Sequence, residues 1–135
     1  MAGERDIQVL LRDMRPQLRP GTFVFCTIPL DERIPAEVNP LLTFREQEGT
    51  TLVISCEDAE RAGLRYAFVS RLITLAVHSA LDAVGFLAAI TARLAEAGIS
   101  VNAVSAFHHD HLFVPIDRAD EAMAVLRDLS KVQRS

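Results

Sequence analysis

Residues 71–126 read RLITLAVHSALDAVGFLAAITARLAEAGISVNAVSAFHHDHLFVPIDRADEAMAVL, and their order of patterns decides the fold class. The run opens inside YAFVSRLITLAVHS (residues 66–79), rich in β formers and long enough for one strand or two. Leu87, Ile90, Leu94 and Ala97 then recur at helical spacing, with Arg93 and Glu96 on the wet side and Gly98 as the stop. Ser79 or Asp82 is the expected cap at the start of that helix. Next, ISVNAVSAF (99–107) alternates: Ile99, Val101, Ala103, Ser105 and Phe107 share one face, Ser100, Asn102, Val104 and Ala106 the other. HLFVPI (111–116) is another strand, and Asp117 is expected to cap a last helix burying Ala119, Ala122, Leu126 and Leu129. The half-chain thus reads β-α-β-β-α, the body of a split βαβ unit.

Upstream the same grammar is looser. Ile7, Leu10, Leu11 and Met14 predict a short helix that Pro16 stops, and Pro20-Gly21 predicts a turn. TFVFCTIP (22–29) reads as a buried strand, and LDERIPAEVNP (30–40) as a loop. LLTFREQEGTTLVI (41–54) has the form of a hairpin turning at Glu48-Gly49. Ser55 with Asp58 fits a capping box and Gly63 the position past a helix end. LVISCEDAERA (52–62) and LFVPIDRADEA (112–122) match in pattern, each an apolar strand followed by an acidic helix start, which suggests two related modules. Antiparallel sheets with helices on one face follow. The expected division is residues 1–65 and 66–135.

With 135 residues, half of them hydrophobic, the chain has material for a continuous core, and an aromatic share of 6% makes that core aliphatic. The net charge is −4 and no basic stripe is visible, which argues against nucleic acid as partner. No apolar run approaches a membrane span, and MAGERDIQVLLRDM (1–14) lacks the layout of a signal peptide, so the expected location is the cytoplasm. Cys26 and Cys56, set in apolar runs thirty residues apart without a CxxC pair, read as reduced buried thiols.

Taken together, VGFLAAITARLAEAGISVNAVS (84–105) followed by HDHLFVP (109–115) resembles an ACT domain. More narrowly it resembles small bacterial two-ACT proteins related to the ACT units of the arginine sensor that controls growth signalling in animals. LRPGTFVFCTIP (18–29) and IPAEVNPLLTFREQEGTTLVISCED (34–58) resemble a degenerate first ACT half. The resemblance implies an α/β, ferredoxin-like βαββαβ fold in two tandem modules, and a regulatory module that binds an amino acid at an ACT–ACT interface, commonly as a homodimer. Asp82, Val84, Gly85, Phe86, Asn102 and Val104 are the ligand-seam positions it carries over. No closing strand follows Leu129, so the missing one is sought in residues 66–75 or in a second copy.

The residues at these positions suit the task. Helix-start amides near Gly85 lack internal acceptors and favour a carboxylate. Asn102, which donates and accepts, would orient an amino group, with help from Asp82. Each residue also has an ordinary role: Gly85 as relief of crowding, Asp82 as a cap, Asn102 in a structural hydrogen bond, Phe86 in the core. Two other readings stay open, a ligand-free structural or protein-interaction module and a metal-binding protein or metal-dependent enzyme. For the metal, His109 and His111 would face one side, His108 and Asp110 the other, with His78 as a third ligand. No nucleophile elbow, Walker loop or dinucleotide fingerprint is present, so no enzyme and no cofactor is expected. Any output would then pass through an effector protein.

Overall fold

A computed structural model describes residues 3–134; the first two residues of the N-terminal stretch and Ser135 lie outside the described residues. The chain forms two compact units, residues 21–70 and residues 1–20 together with 71–135. The first twenty residues therefore fold with the second half of the sequence, whereas the sequence pattern placed a single boundary after residue 65.

In the unit of residues 21–70, β2 (Phe23–Ile28), β3 (Leu42–Arg45) and β4 (Thr50–Ser55) are followed by α2 (Cys56–Ala62) and the first residues of β5 (Ala67–Ala76). The strand order is β3-β4-β2-β5, with β4 antiparallel to both its neighbours. That is the ferredoxin-like order with the first helix replaced by the loop of residues 29–41. Val24, Cys26, Ile28, Leu52 and Ile54 alternate onto one sheet face and meet Val38 of that loop and Ala59 of α2. The loop is pinned where the Asn39 amide donates to Asp58 at 3.0 Å. The Ser55 hydroxyl caps α2 by accepting from the Asp58 amide, and Gly63 ends the helix in the left-handed region. Both cysteines are free, and burial pushes the Cys26 thiol pKa up.

The other unit contains α1 (Ile7–Asp13), β1 (Arg15–Leu18), the rest of β5, α3 (Phe86–Glu96), β6 (Asn102–Ser105), β7 (Asp110–Pro115) and α4 (Ala119–Arg134). Its strand order is β1-β5-β7-β6. The closing strand comes from the N-terminus of the same chain: Arg15–Leu18 lies antiparallel to β5, pairing Arg15 with Ala76 and Leu18 with Ile73. Neither a second copy nor residues 66–75 supplies it. Pro16 is tolerated because β1 is an edge strand with one neighbour. Asp6 starts α1 by accepting from the Gln8 and Val9 amides, and the Ser130 hydroxyl of α4 closes its far end on the carbonyls of Arg12 and Met14.

Leu10 and Leu11 of α1, Ile90 and Leu94 of α3, and Ala122, Met123, Leu126 and Leu129 of α4 converge on Ile73, Leu75, Leu112 and Val114. All three helices thus pack on one face of this sheet. Alternation sends Thr74, His111 and Phe113 to the other face. Asn102 pairs with Phe113 and Val104 with His111, so their side chains share that second face. Asp117 sits inside a 3-10 turn, Ile116–Arg118, and not at the residue before α4. No helix among the described residues is long and apolar enough to cross a membrane.

Candidate functional site

Between β5 and α3 the chain makes a loop, residues 77–85, tied down from two sides. The N-terminal strap crosses it: the Glu4 amide donates to the His78 carbonyl and the Ala80 amide to the Glu4 carbonyl, each at 2.9 Å. Gly3 lies so close that a Cβ there would stand 2.6 Å from the His78 carbonyl oxygen. Further along, the Arg5 guanidinium pairs with the Asp82 carboxylate at 3.0 Å, on the solvent side. That pairing holds the Asp82 carboxyl below its ordinary value.

From beneath, the Ser79 hydroxyl donates to Asp110 Oδ2 at 3.1 Å, and the Ser105 hydroxyl donates to Oδ1 at 2.6 Å. Asp110 is buried. Its carboxylate links three segments, the loop, the end of β6 and the start of β7. Sequence reasoning missed this cluster, although a signal existed. Asp110, Leu112 and Val114 alternate in register, so a strand that buries the last two against the helices also turns Asp110 inward.

The loop opens on a cavity of about 220 Å³ lined by Gly3, His78, Ser79, Ala80, Leu81, Asp82 and Phe107. Of the expected ligand positions, Asp82 is in this lining. Val84 and Gly85 follow on the same loop, and Gly85 takes φ +94 as the residue before α3, with no side-chain cap on the helix. The capping role expected of Ser79 or Asp82 is not fulfilled: α3 begins at Phe86, so Gly85 holds the cap position, and the Ser79 and Asp82 side chains engage Asp110 and Arg5 upstream of it. Val84 is fully in solvent, while the Phe86 ring is in the core, which leaves only its backbone amide for a ligand. Asn102 and Val104 point to the sheet face opposite the helices. The convergence of Asn102 with the Gly85 amides is therefore not formed within one chain.

The four histidines form one run of neighbouring rings, in which His108 and His109 stand 6.4 Å apart. His78 lies near His108, ring centres 5.8 Å apart, and His108 is edge-on to Phe107 at 5.0 Å. His109 and His111 are 6.3 Å apart, and His111 Nδ1 shares a hydrogen bond with the Thr74 hydroxyl at 3.0 Å. Asp110 does not side with His108 in solvent. Among the described residues no three His, Cys, Asp or Glu side chains are grouped to hold a metal ion, so His78, His109 and His111 do not form the three-ligand set.

Comparison with known proteins gives this geometry a context. No curated protein matches the chain in sequence. A solved protein of unknown function from Vibrio cholerae, described as a possible transport protein, is 41% identical, with a TM-score of 0.81 over 92% of this chain and 95% of that one. A protein from Agrobacterium tumefaciens is 18% identical, with a TM-score of 0.74 over 87% and 89%. The regulatory subunit of aspartate kinase from Thermus flavus shares the fold at 8% identity, with a TM-score of 0.60 over 96% and 99%. Sequence profiles of the ACT domain match twice, over residues 2–71 and residues 68–128. Tandem ACT domains are typical of regulatory small-molecule binding. On the strength of these two matches, the chain belongs to the ACT domain family and carries two such domains in tandem.

Proposed function

We propose that this protein is a regulatory module that binds an amino acid or a similar small zwitterion beside the β5–α3 loop. The observation that carries the reading is the cavity of about 220 Å³ on that loop, leading toward a helix start whose amides have no side-chain cap. An α-helix leaves its first amides without internal acceptors, and they favour an anionic group. In this reading the amides of Val84, Gly85 and Phe86 hold the carboxylate, and Asp82 faces the amino end. Asn102 and Val104, on the far side of edge strand β6, are assigned to a seam with a second copy in a homodimer. The resemblance to the arginine sensor puts cationic amino acids first in the trial set. Output passes to an effector protein in the cytoplasm, by stabilising one arrangement of the two modules.

A thermal-shift screen with the twenty amino acids tests this. At ten times the dissociation constant a ligand contributes about 1.4 kcal/mol, which raises Tm by roughly 5 °C in a domain of this size. No rise with any of the twenty refutes the reading. That result would favour a ligand-free interaction module, to which the exposed Leu81, Val84 and Phe107 (67%, 87% and 61%) would belong.

A further inference from the structure

Among the described residues, the buried Asp110 carboxylate takes part in no ion pair. Among these residues, the hydroxyls of Ser79 and Ser105 donate to it. Burying a carboxylate without a cation is expensive, so its placement beneath a cavity-lining loop calls for an explanation. Ser79 is the connection, since it lines the cavity and donates its only hydroxyl proton to Asp110. A carboxylate accepts and cannot donate, so the direction of this bond is fixed. With its proton committed to Asp110, the Ser79 oxygen has only lone pairs to offer a further partner. The negative charge behind it strengthens its attraction for a donor and repels an anion.

We infer that Ser79, beside Asp82, takes part in selecting the cationic, hydrogen-donating end of the ligand, and that Asp110 is the positioning residue that fixes the direction of the Ser79 hydroxyl. The inference rests on the small-molecule reading above and adds an orientation to it. The ammonium lies at the Ser79 end, with Phe107 as an aromatic wall suited to a cation. The carboxylate points away, toward the start of α3.

The test is calorimetric titration, at neutral pH, of two probe triplets. One is L-leucine, isopentylamine and 4-methylpentanoate; the other is L-phenylalanine, phenethylamine and 3-phenylpropanoate. With the wild-type protein, the amine of a triplet binds about tenfold or more tightly than the carboxylate, the worth of one charge-assisted hydrogen bond. Ser79→Ala narrows that preference to what the Asp82 carboxylate supplies, and Ser79→Thr, which keeps the hydroxyl, retains it in full. In Asp110→Asn the amide NH2 donates to the Ser79 oxygen, turning the hydroxyl proton into the cavity, so the preference narrows or reverses. Circular dichroism checks the fold, and if Asp110→Asn does not fold, the two Ser79 variants carry the test. Carboxylates binding the wild type as well as amines, or an unchanged ratio in Ser79→Ala, overturns the inference while leaving the binding site in place. Wild-type protein that binds none of the six probes overturns the inference, and the amino-acid screen then decides separately whether the site reading falls with it.

Discussion

Gly3→Ala is a sharp probe of the strap that walls the cavity. A methyl group at this position would stand 2.6 Å from the His78 carbonyl oxygen, 2.8 Å from the Ser79 carbonyl carbon and 2.9 Å from the Ala80 nitrogen. All three are backbone atoms, so no change of rotamer relieves the crowding. The least costly relief is for the strap to lift. Lifting breaks two backbone hydrogen bonds, Glu4 to His78 and Ala80 to Glu4, and frees the salt-screened Arg5–Asp82 pair at the surface. Two such bonds contribute about 1–3 kcal/mol together, from which the cost of ordering the segment subtracts. The Ala80 amide, buried beneath the strap, should therefore exchange with deuterium faster in the variant, by up to roughly a hundredfold. Amides within α3, such as those of Ile90 and Leu94, should keep most of their protection. An unchanged rate at Ala80 refutes the reasoning. So does a loss of global stability beyond about 3 kcal/mol, since the strap has no more than that to lose.

Two other perturbations address the core and the titration of the sheet. Ile90 is fully buried among the three helices and the sheet, so Ile90→Ala should cost about 2–5 kcal/mol in urea unfolding, and a cost under about 1 kcal/mol would contradict its central position. Burial first, then the charges of His109 and Arg19, hold the His111 imidazole below its ordinary pKa, against an opposite pull from Asp110. On acidification the unfolded chain takes up this proton before the folded one. Stability should then fall as pH drops below about 6.5 and level off once folded His111 is also charged. His111→Gln should flatten that slope in urea midpoints measured between about pH 5 and 7.5, and an unaltered slope would refute the assignment.

The elements were readable wherever a local rule governed them. Ser55 and Gly63 bracket α2 as capping chemistry requires, and the spacing of Leu87, Ile90 and Leu94 sets the buried stripe of α3. The start of α3 was misread. Ser79 and Asp82 have the composition of caps, but α3 begins only at Phe86, after a loop whose path is set by tertiary contacts such as Ser79 to Asp110 and Arg5 to Asp82. The place of Asn102 is legible only in part. Alternation placed it correctly with Val104, but only the packing of the helices against Leu112 and Val114 decides which face is covered.

The sequence by itself determined the tandem α/β character, because hydrophobic period and turn chemistry act over a few residues and need no partner. Tertiary structure alone decided that Arg15–Leu18 is the closing strand of the unit formed with the second half of the chain. A four-residue edge strand containing a proline has almost no local signature; its partners in β5 lie 55 to 61 residues away. The same holds for the meeting of Gly3, Ser79 and Asp110. Each is ordinary in its own segment, and their joint chemistry exists only because the folded backbone brings three distant segments within hydrogen-bonding reach.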